Sequence, residues 1–524
     1  MPRYFSDIQL NAALKFNDIY TDLFRIKFSA FRTHDPIVKE LKSLHNRSDI
    51  KIVQSDKNLG ITIMNTMDYH NLVIQHLKSS KVYNNVCTTD NAYFIKLIEN
   101  SIETEFEGIV PIFVGYELEF INYRGLKPRS YFSVFHGMPK LHKNKPIAEL
   151  PLRPIIANRP EQLQSRVSVV LTERLLTKLK EFDNIILNST SLKNDIENLD
   201  ARNSILVSID FESLYTSIPL SDLYNLIDTY DKWSVEFRRH TISALRFIFK
   251  NNYFVYADSV YIQKDGFAMG TNVAPVIANI YLGIKFDGLF RHIASVKYYG
   301  RFIDDCLIVY SGDRDKFLTD LPHIRNQATP LNITYEVQEV SINFLDITIF
   351  KDDLGNLKTK IFQKALNKYS YIPLFSNHPK STIRGFIYSE LLRYRRLCSR
   401  DQDFNEISLL FYKRLLARGY TNRFLDVIFL RARSRLSDTV LTTPPQHDVN
   451  QPDDHVNLVI RYTKDRKLHS FLHTKLAELT NEFGQNEWRA RLTFRSNPNV
   501  LRLSTKSSLT TNQLTLIKNS ASMD

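Results

Sequence analysis

Residues 297–311, KYYGRFIDDCLIVYS, set two adjacent carboxylates, Asp304 and Asp305, between two runs of β-forming residues. The pattern predicts a hairpin with both acids at its bend. Upstream, SILVSID (204–210) is an apolar strand that ends on a third carboxylate, Asp210. If the two strands are neighbours, three acids converge at one sheet edge and repel one another. Two divalent cations about 3.5–4 Å apart relieve such repulsion, and that arrangement serves phosphoryl transfer. Hard oxygen donors point to Mg²⁺ rather than Zn²⁺. An Asp-Asp pair taken alone reads as a solvated turn, so its surroundings decide.

Those surroundings are informative. Tyr215 lies five residues after Asp210 in DFESLYTSIP, where a strand turning into a helix carries its ring back over the carboxylate. Such a ring could exclude a ribose 2′-hydroxyl. The run GFAMGTNVAPVIANIYLG (266–283) puts Gly266 and Gly270 before an apolar helix, allowing the backbone to approach a nucleotide closely. The spacing is not that of a P-loop.

The 524 residues suit several domains, and 43% apolar with 12% aromatic residues exclude a disordered chain. Three scattered cysteines exclude a disulfide scaffold and a cysteine-rich zinc site and favour a reducing compartment. No signal-peptide pattern or membrane-length apolar run occurs, so the expectation is a soluble intracellular protein. Lys plus Arg is 69 against 56 acids, a net +13. The excess is local: residues 381–436 hold twelve cations and five acids, and 123–146 hold six cations and no acid. Both stretches interleave aromatics with cations, which suits a nucleic-acid partner. A solvated helix face is the plain alternative for either stretch alone.

Along the chain, 1–50 reads as helical, and KIVQSDKNLGITIMN (51–65) as a hairpin. Residues 66–120 read as mostly helical. Prolines 139, 146, 151, 154 and 160 restrict 131–160 to short strands. Helices are expected over 161–182, 235–250, 273–290 and 380–436. A hairpin is expected around Ala257-Asp258, and further strands at ITYEV and INFLDITIF. The proline-bearing run 437–457 reads as a linker, and 458–524 as a small strand-plus-helix module.

Taken in order, SIDFESLYTSIP, GFAMGTNVAPVIANIYLG and YYGRFIDDCLIVY resemble the A, B and C motifs of reverse transcriptases, with FIDD a Phe variant of the Tyr-x-Asp-Asp box. QSDKNLGITIMN (54–65) and HGMPKLHKNKPIAELPLRPIIANRP (136–160) look like the two fingers motifs. INFLDITIF, YSYIPLFSNHPKSTIRGFIYSELLRYRRLCS (369–399) and ARGY (417–420) resemble the Penelope-like element branch, a relative of the telomerase catalytic subunit. The resemblance spans about 51–436 and extends weakly through LTFRSNPNVLRLSTKSSL (492–509).

The resemblance implies an α+β, right-hand polymerase: an N-terminal extension (1–50), fingers (51–200), a palm of antiparallel sheet and helices (201–365), a helical thumb (366–436), the linker, and the C-terminal module. It implies an RNA-directed DNA polymerase extending a DNA 3′ end on an RNA template, with dNTPs and two Mg²⁺ ions, Mn²⁺ being the natural substitute. Carried over by position, Asp210, Asp304 and Asp305 are metal ligands, with backbone oxygens of Ile209 and Phe211 as further contacts. Tyr215 screens the sugar, and Met269 and Gly270, with Pro275 beyond, back the incoming nucleotide. Lys57, Lys140 and Arg153 grip the triphosphate, and Arg384, Arg393, Arg395 and Arg396 bind nucleic acid. Met269 stands where Gln is common and Ala274 where Ser is frequent; neither change removes a ligand.

No GIY-YIG string is present, so the resemblance is to an endonuclease-lacking member or to the polymerase portion of a longer polyprotein. A nuclear location is expected with it. The competing expectations are a catalytically silent RNA-binding descendant, against which three retained carboxylates speak, and an RNA-dependent RNA polymerase, against which Tyr215 speaks.

Overall fold

The computed structural model describes residues 40, 43–44, 47–122, 131–376, 378–436, 455–461, 466–483, 489–495 and 509–521. Nearly all of the predicted 1–50 helical extension, residues 437–454 of the predicted linker and part of the 123–146 basic stretch therefore lie outside the described residues. The class is α+β, as the alternation of apolar strand runs and helical periods predicts. Two compact units divide the chain.

The larger unit comprises His45–Lys368, Leu397–Asp403 and Thr505–Asp524. It opens with the hairpin β1 (Ile50–Gln54) and β2 (Ile61–Asn65), paired antiparallel as its alternating pattern predicts. Its second sheet joins β3 (Tyr83–Thr88), β4 (Ser133–Pro139), β5 (Leu152–Ala157), β7 (Tyr253–Tyr256) and β8 (Ser259–Gln263) in the order β3-β8-β7-β4-β5. β5 is an edge, where Pro154 needs no ladder donor on its outer side. The third sheet has the order β11-β6-β10-β9, from β6 (Ser204–Phe211), β9 (Val296–Phe302), β10 (Asp305–Ser311) and β11 (Ile333–Gln338), all antiparallel. β12 (Ser341–Phe344), β13 (Ile347–Lys351) and β14 (Leu357–Ile361) form a small antiparallel sheet.

Helices cover one face of the third sheet. The segment Ala274–Lys285 is apolar on nearly every side and lies largely inside, with Ile277, Ile280 and Leu282 inaccessible. It shares one core with Ile205, Val207, Ile209 and Phe211 of β6 and with Leu245 and Phe249 of the helix Val235–Lys250. A second core, around Tyr69, Val73, Phe135 and Phe254, joins the helix Thr66–Ser79 to the five-stranded sheet.

Residues 66–120 are mostly helical, as expected, over Thr66–Ser79, Ala92–Ile109 and Tyr116–Ile121; between the first two, Tyr83–Thr88 is recruited as an edge strand by β8, a tertiary pairing that overrides a weak local preference. Two local expectations change. The predicted 273–290 helix stops at Lys285, and Asp287–Arg291 tightens into a 3-10 turn. The C-terminal helix Thr511–Ala521 belongs to the larger unit, where Gln513 Nε2 donates to the Ile50 carbonyl (2.6 Å) and Leu509 packs on the second core.

The smaller unit includes the helices Lys380–Leu397, Asp401–Ala417 and Asn422–Leu436 for the most part, together with β15 (His455–Arg461) and β16 (Arg489–Arg495), which pair in parallel around the helix Arg466–Phe483. A parallel pair needs such a crossover.

Candidate active site

The site is built on register. β6 and β10 pair so that Asp305 stands directly opposite Asp210. Side chains opposite one another on antiparallel strands share a face, so both carboxylates leave the sheet on the same side. Ile209 and Phe211 flank Asp210 and point the other way, into the core, where the Phe211 ring meets Phe286 edge to face (5.0 Å). Asp304 occupies the turn just before β10, after Ile303, whose φ of 57° is left-handed. Cys306 is fully buried and alternates to the opposite face, leaving an oxygen-only donor set.

The electrostatics report this proximity. Burial and then repulsion by Asp304 and Asp210 push Asp305 up to about 6. Asp210 is raised by burial, Asp304 and Glu212, and Asp304 by burial. Cations oppose them: Lys57 and Lys143 at Asp210, Lys364 and Lys57 at Asp305, Arg153 and Arg301 at Asp304. Lys143 and Lys364 were not singled out by sequence: Lys143 is one of several cations in the 136–160 motif, and Lys364 follows β14 in an irregular stretch. Among the described residues no three His, Cys, Asp or Glu side chains form a ready-made metal cage. The three acids make an open shelf.

Around it stand the other predicted residues. Tyr215 lies on the short helix Leu214–Ser217, half-buried; burial and the neighbouring Asp304 push its hydroxyl up to about 12 while Arg153 opposes. Its carbonyl accepts from the Phe267 amide at 2.5 Å. Gly266, at φ 68°, lies against Thr216, and a Cβ there would sit 2.7 Å from the Thr216 carbonyl oxygen. Gly270, at φ 124°, backs onto β5: a Cβ would strike the Ile156 carbonyl oxygen, and the Ile156 amide donates to the Met269 carbonyl (2.9 Å). The glycine loop is thus clamped between Tyr215–Thr216 and the β5 edge.

Arg153, on β5, donates Nε to Asp56 Oδ1 (2.9 Å) in a pair whose acid is almost fully buried. Asp56 is a third residue that sequence reading passed over. Lys57 follows it at φ 57°. Lys140 is half-buried, and burial followed by Arg153 lowers its ammonium, with Asp56 opposing and Lys143 and Lys57 adding to the fall. Lys57 and Arg153 therefore share one field with the carboxylates, and Lys140 adjoins it through Arg153 and Asp56.

The remaining predicted cations belong to the smaller unit. Arg384 is exposed and stacks over Phe424 (5.7 Å), and both line a groove of about 560 Å³ with Arg423 and Arg431. Arg393 is paired with Glu390 (2.8 Å), Arg395 lies over Phe404 (5.6 Å), and Arg396 is half-buried on the same helix.

Residues 157–338 match the family model of reverse transcriptase (RNA-dependent DNA polymerase), and 370–429 match the animal helix-turn-helix domain. The first match contains Asp210, Tyr215, Gly270, Asp304 and Asp305, so this segment is a reverse transcriptase-type domain. No curated protein matches the chain. Among solved structures, Candida albicans telomerase in complex with a telomeric RNA fragment is 11% identical, with a TM-score of 0.42, covering 68% of this chain and 59% of that one. Candida tropicalis telomerase, also with a telomeric RNA fragment, is 11% identical, with a TM-score of 0.41, covering 90% and 68%. The BmCPV RNA-dependent RNA polymerase is 12% identical, with a TM-score of 0.36, covering 67% and 34%. The chain thus spans about 59% of the Candida albicans protein, and scores at this level do not by themselves define a shared fold.

Proposed function

We propose that the chain is an RNA-directed DNA polymerase of the Penelope-like type, which extends a DNA 3′ end on an RNA template from dNTPs. The observation that carries this reading is the cross-strand pairing of Asp210 with Asp305, beside Asp304, inside the segment that matches the reverse transcriptase model.

The donor set fits two Mg²⁺ ions: Asp210 and Asp305 on one sheet face with Asp304 in the adjoining turn, no thiol or imidazole among them, and repulsion that a cation relieves. An open shelf also fits, because Mg²⁺ keeps water and substrate phosphates as ligands. Asp210, Asp304 and Asp305 would hold the ions, which when bound would acidify the primer hydroxyl and neutralise charge on the phosphate oxygens and the leaving pyrophosphate. Lys57, Lys140 and Arg153 orient the triphosphate, and Asp56 holds the Arg153 fork in place. Tyr215 crowds the 2′ position of the sugar, while Met269–Gly270 present flat backbone to the nucleotide. Arg384 and its neighbours in the smaller unit bind the nucleic-acid backbone, so binding weakens steeply with salt. A nuclear site of action accompanies this reading; no helix among the described residues is long and apolar enough to cross a membrane.

The test is primer extension with an RNA template, an annealed DNA primer, Mg²⁺ and either dNTPs or NTPs. Extension with dNTPs, lost in Asp304→Ala with duplex binding intact, is expected. No extension by the wild-type chain rejects the reading, and a preference for NTPs rejects the choice of sugar.

A further inference from the structure

Directly beneath the carboxylate shelf lies a side chain that sequence motifs do not explain. Arg301, on β9 three residues before Asp304, is 0% exposed, the largest fully buried side chain described in the molecule. It stands opposite Cys306 in the ladder, on the core face, while Phe302 stands opposite Asp305.

A guanidinium offers five N–H donors in a rigid plane, and here each is engaged. Nε donates to Asp287 Oδ1 (2.8 Å) and Nη2 to Asp287 Oδ2 (2.7 Å), a two-pronged pair with an acid 3% exposed. Nη2 also donates to the Asn279 carbonyl (3.0 Å). Nη1 donates to Asn279 Oδ1 (2.7 Å) and to the Ile303 carbonyl (2.9 Å). Tyr299 completes the group, its hydroxyl donating to Asp287 Oδ1 (2.6 Å).

Two of these partners matter for chemistry. Ile303 is a β-branched residue in left-handed conformation, one that L side chains resist and that persists only where neighbours over-determine it. Its carbonyl is the hydrogen-bond acceptor just before Asp304. Asn279 lies in the helix Ala274–Lys285, which follows the Gly266–Gly270 loop. One buried side chain thus ties the turn bearing two carboxylates to the helix behind the nucleotide loop.

We infer that Arg301 is a positioning residue for nucleotidyl transfer, locking the strained Ile303 turn, and with it Asp304 and Asp305, to the Ala274–Lys285 helix. A buried ion pair is weak evidence of stabilisation, because desolvation offsets the attraction, whereas the added bond to the Ile303 carbonyl fixes geometry. The inference deepens the polymerase reading and rests on it.

Arg301→Lys keeps a charge for Asp287 but has no planar fork to reach Asn279 and Ile303 together. The expected result is a kcat for extension lowered about 10- to 100-fold, with KM for dNTP and the template–primer Kd within about twofold of wild type. Amide exchange over residues 302–306, read without metal or nucleotide, should rise at least tenfold while the rest of β6 and β10 stays protected. Adding Ile303→Gly, which removes the left-handed penalty, should return most of the lost kcat. Wild-type kcat and exchange in Arg301→Lys, or protection lost evenly across the sheet without rescue by glycine, overturns the inference. Should Arg301→Lys fail to fold, Asn279→Ala, which leaves the Asp287 pair whole, carries the same test: faster exchange over 302–306 supports it and unchanged exchange rejects it. A wild-type chain that extends no primer fails the polymerase reading instead, and the exchange measurement still judges the turn.

Discussion

The two main sheets of the larger unit handle titratable groups in opposite ways. At the end of β6 and β10, Asp210 and Asp305 share one face with Asp304 in the adjoining turn, and burial with mutual repulsion raises Asp305 to about 6. Within the five-stranded sheet and its covering helix, His70, His76 and His136 are sunk among aromatic rings, with His70 stacked on Tyr256 (5.7 Å) and His76 tilted against Tyr83 (5.8 Å). Burial lowers all three, and burial with Lys51 brings His136 down to about 4. One sheet thus concentrates acids whose raised pKa values show that the surrounding Lys and Arg side chains leave their repulsion and burial only partly offset. The other buries histidines whose lowered pKa values favour the neutral form, and carries its charge at the β5 edge, where Arg153 pairs with Asp56. The difference separates a reactive edge from a supporting one without reference to any motif.

Breaking the reactive edge should have the largest effect. Asp210→Asn is expected to lower extension at least about 10³-fold, with template–primer affinity held within a few-fold; a binding loss of equal size would make Asp210 structural. Gly270→Ala places a methyl against the Ile156 carbonyl at positive φ and should cost about 2 kcal/mol or more of stability, measured by denaturant unfolding. A neutral result there would unclamp the glycine loop from β5. Tyr215→Ala should relax discrimination against NTPs by about 10- to 100-fold, read as the ratio of kcat/KM for dNTP and NTP.

The contrast sharpens with pH. A carboxylate whose folded pKa is raised costs stability above its unfolded pKa, so the reactive edge weakens the metal-free protein as pH climbs from about 4 to about 6. Asp305→Asn should therefore raise the metal-free Tm by about 2 °C at pH 7.5, with the gain gone near pH 4. A histidine whose folded pKa is depressed contributes stability above its unfolded pKa of 6.5 and loses it as pH falls toward about 4. His136→Gln should flatten that acid limb by a smaller amount. Opposite signs for the two variants are expected in thermal scans; equal signs would erase the distinction between the sheets.

The reactive edge was largely legible in the sequence because β6, β9 and β10 are short apolar runs whose punctuation is chemical: an acid, a turn, a glycine. The apolar run 204–209 set Asp210 at a strand end, and the hairpin at 296–311 followed from its flanks. What escaped notice depended on distant partners. β3 exists because β8 offers an edge, and no residue between Tyr83 and Thr88 announces it. Asp56 looked like a turn residue until Arg153, nearly a hundred positions away, closed on it. Arg301 read as one more cation in a basic chain, and only its burial against Asp287 and Asn279 revealed otherwise. The C-terminal helix likewise carries nothing local to predict that Gln513 would reach Ile50.

The most direct measurement of the central claim is anomalous diffraction from Mn²⁺, standing in for Mg²⁺, in crystals of the chain with an RNA template, a DNA primer and a non-hydrolysable dNTP. Two peaks about 3.5–4 Å apart, within bonding distance of Asp210, Asp304 and Asp305, are the predicted result. Peaks held by other residues, or an Asp210 carboxylate turned away from both ions, would contradict it.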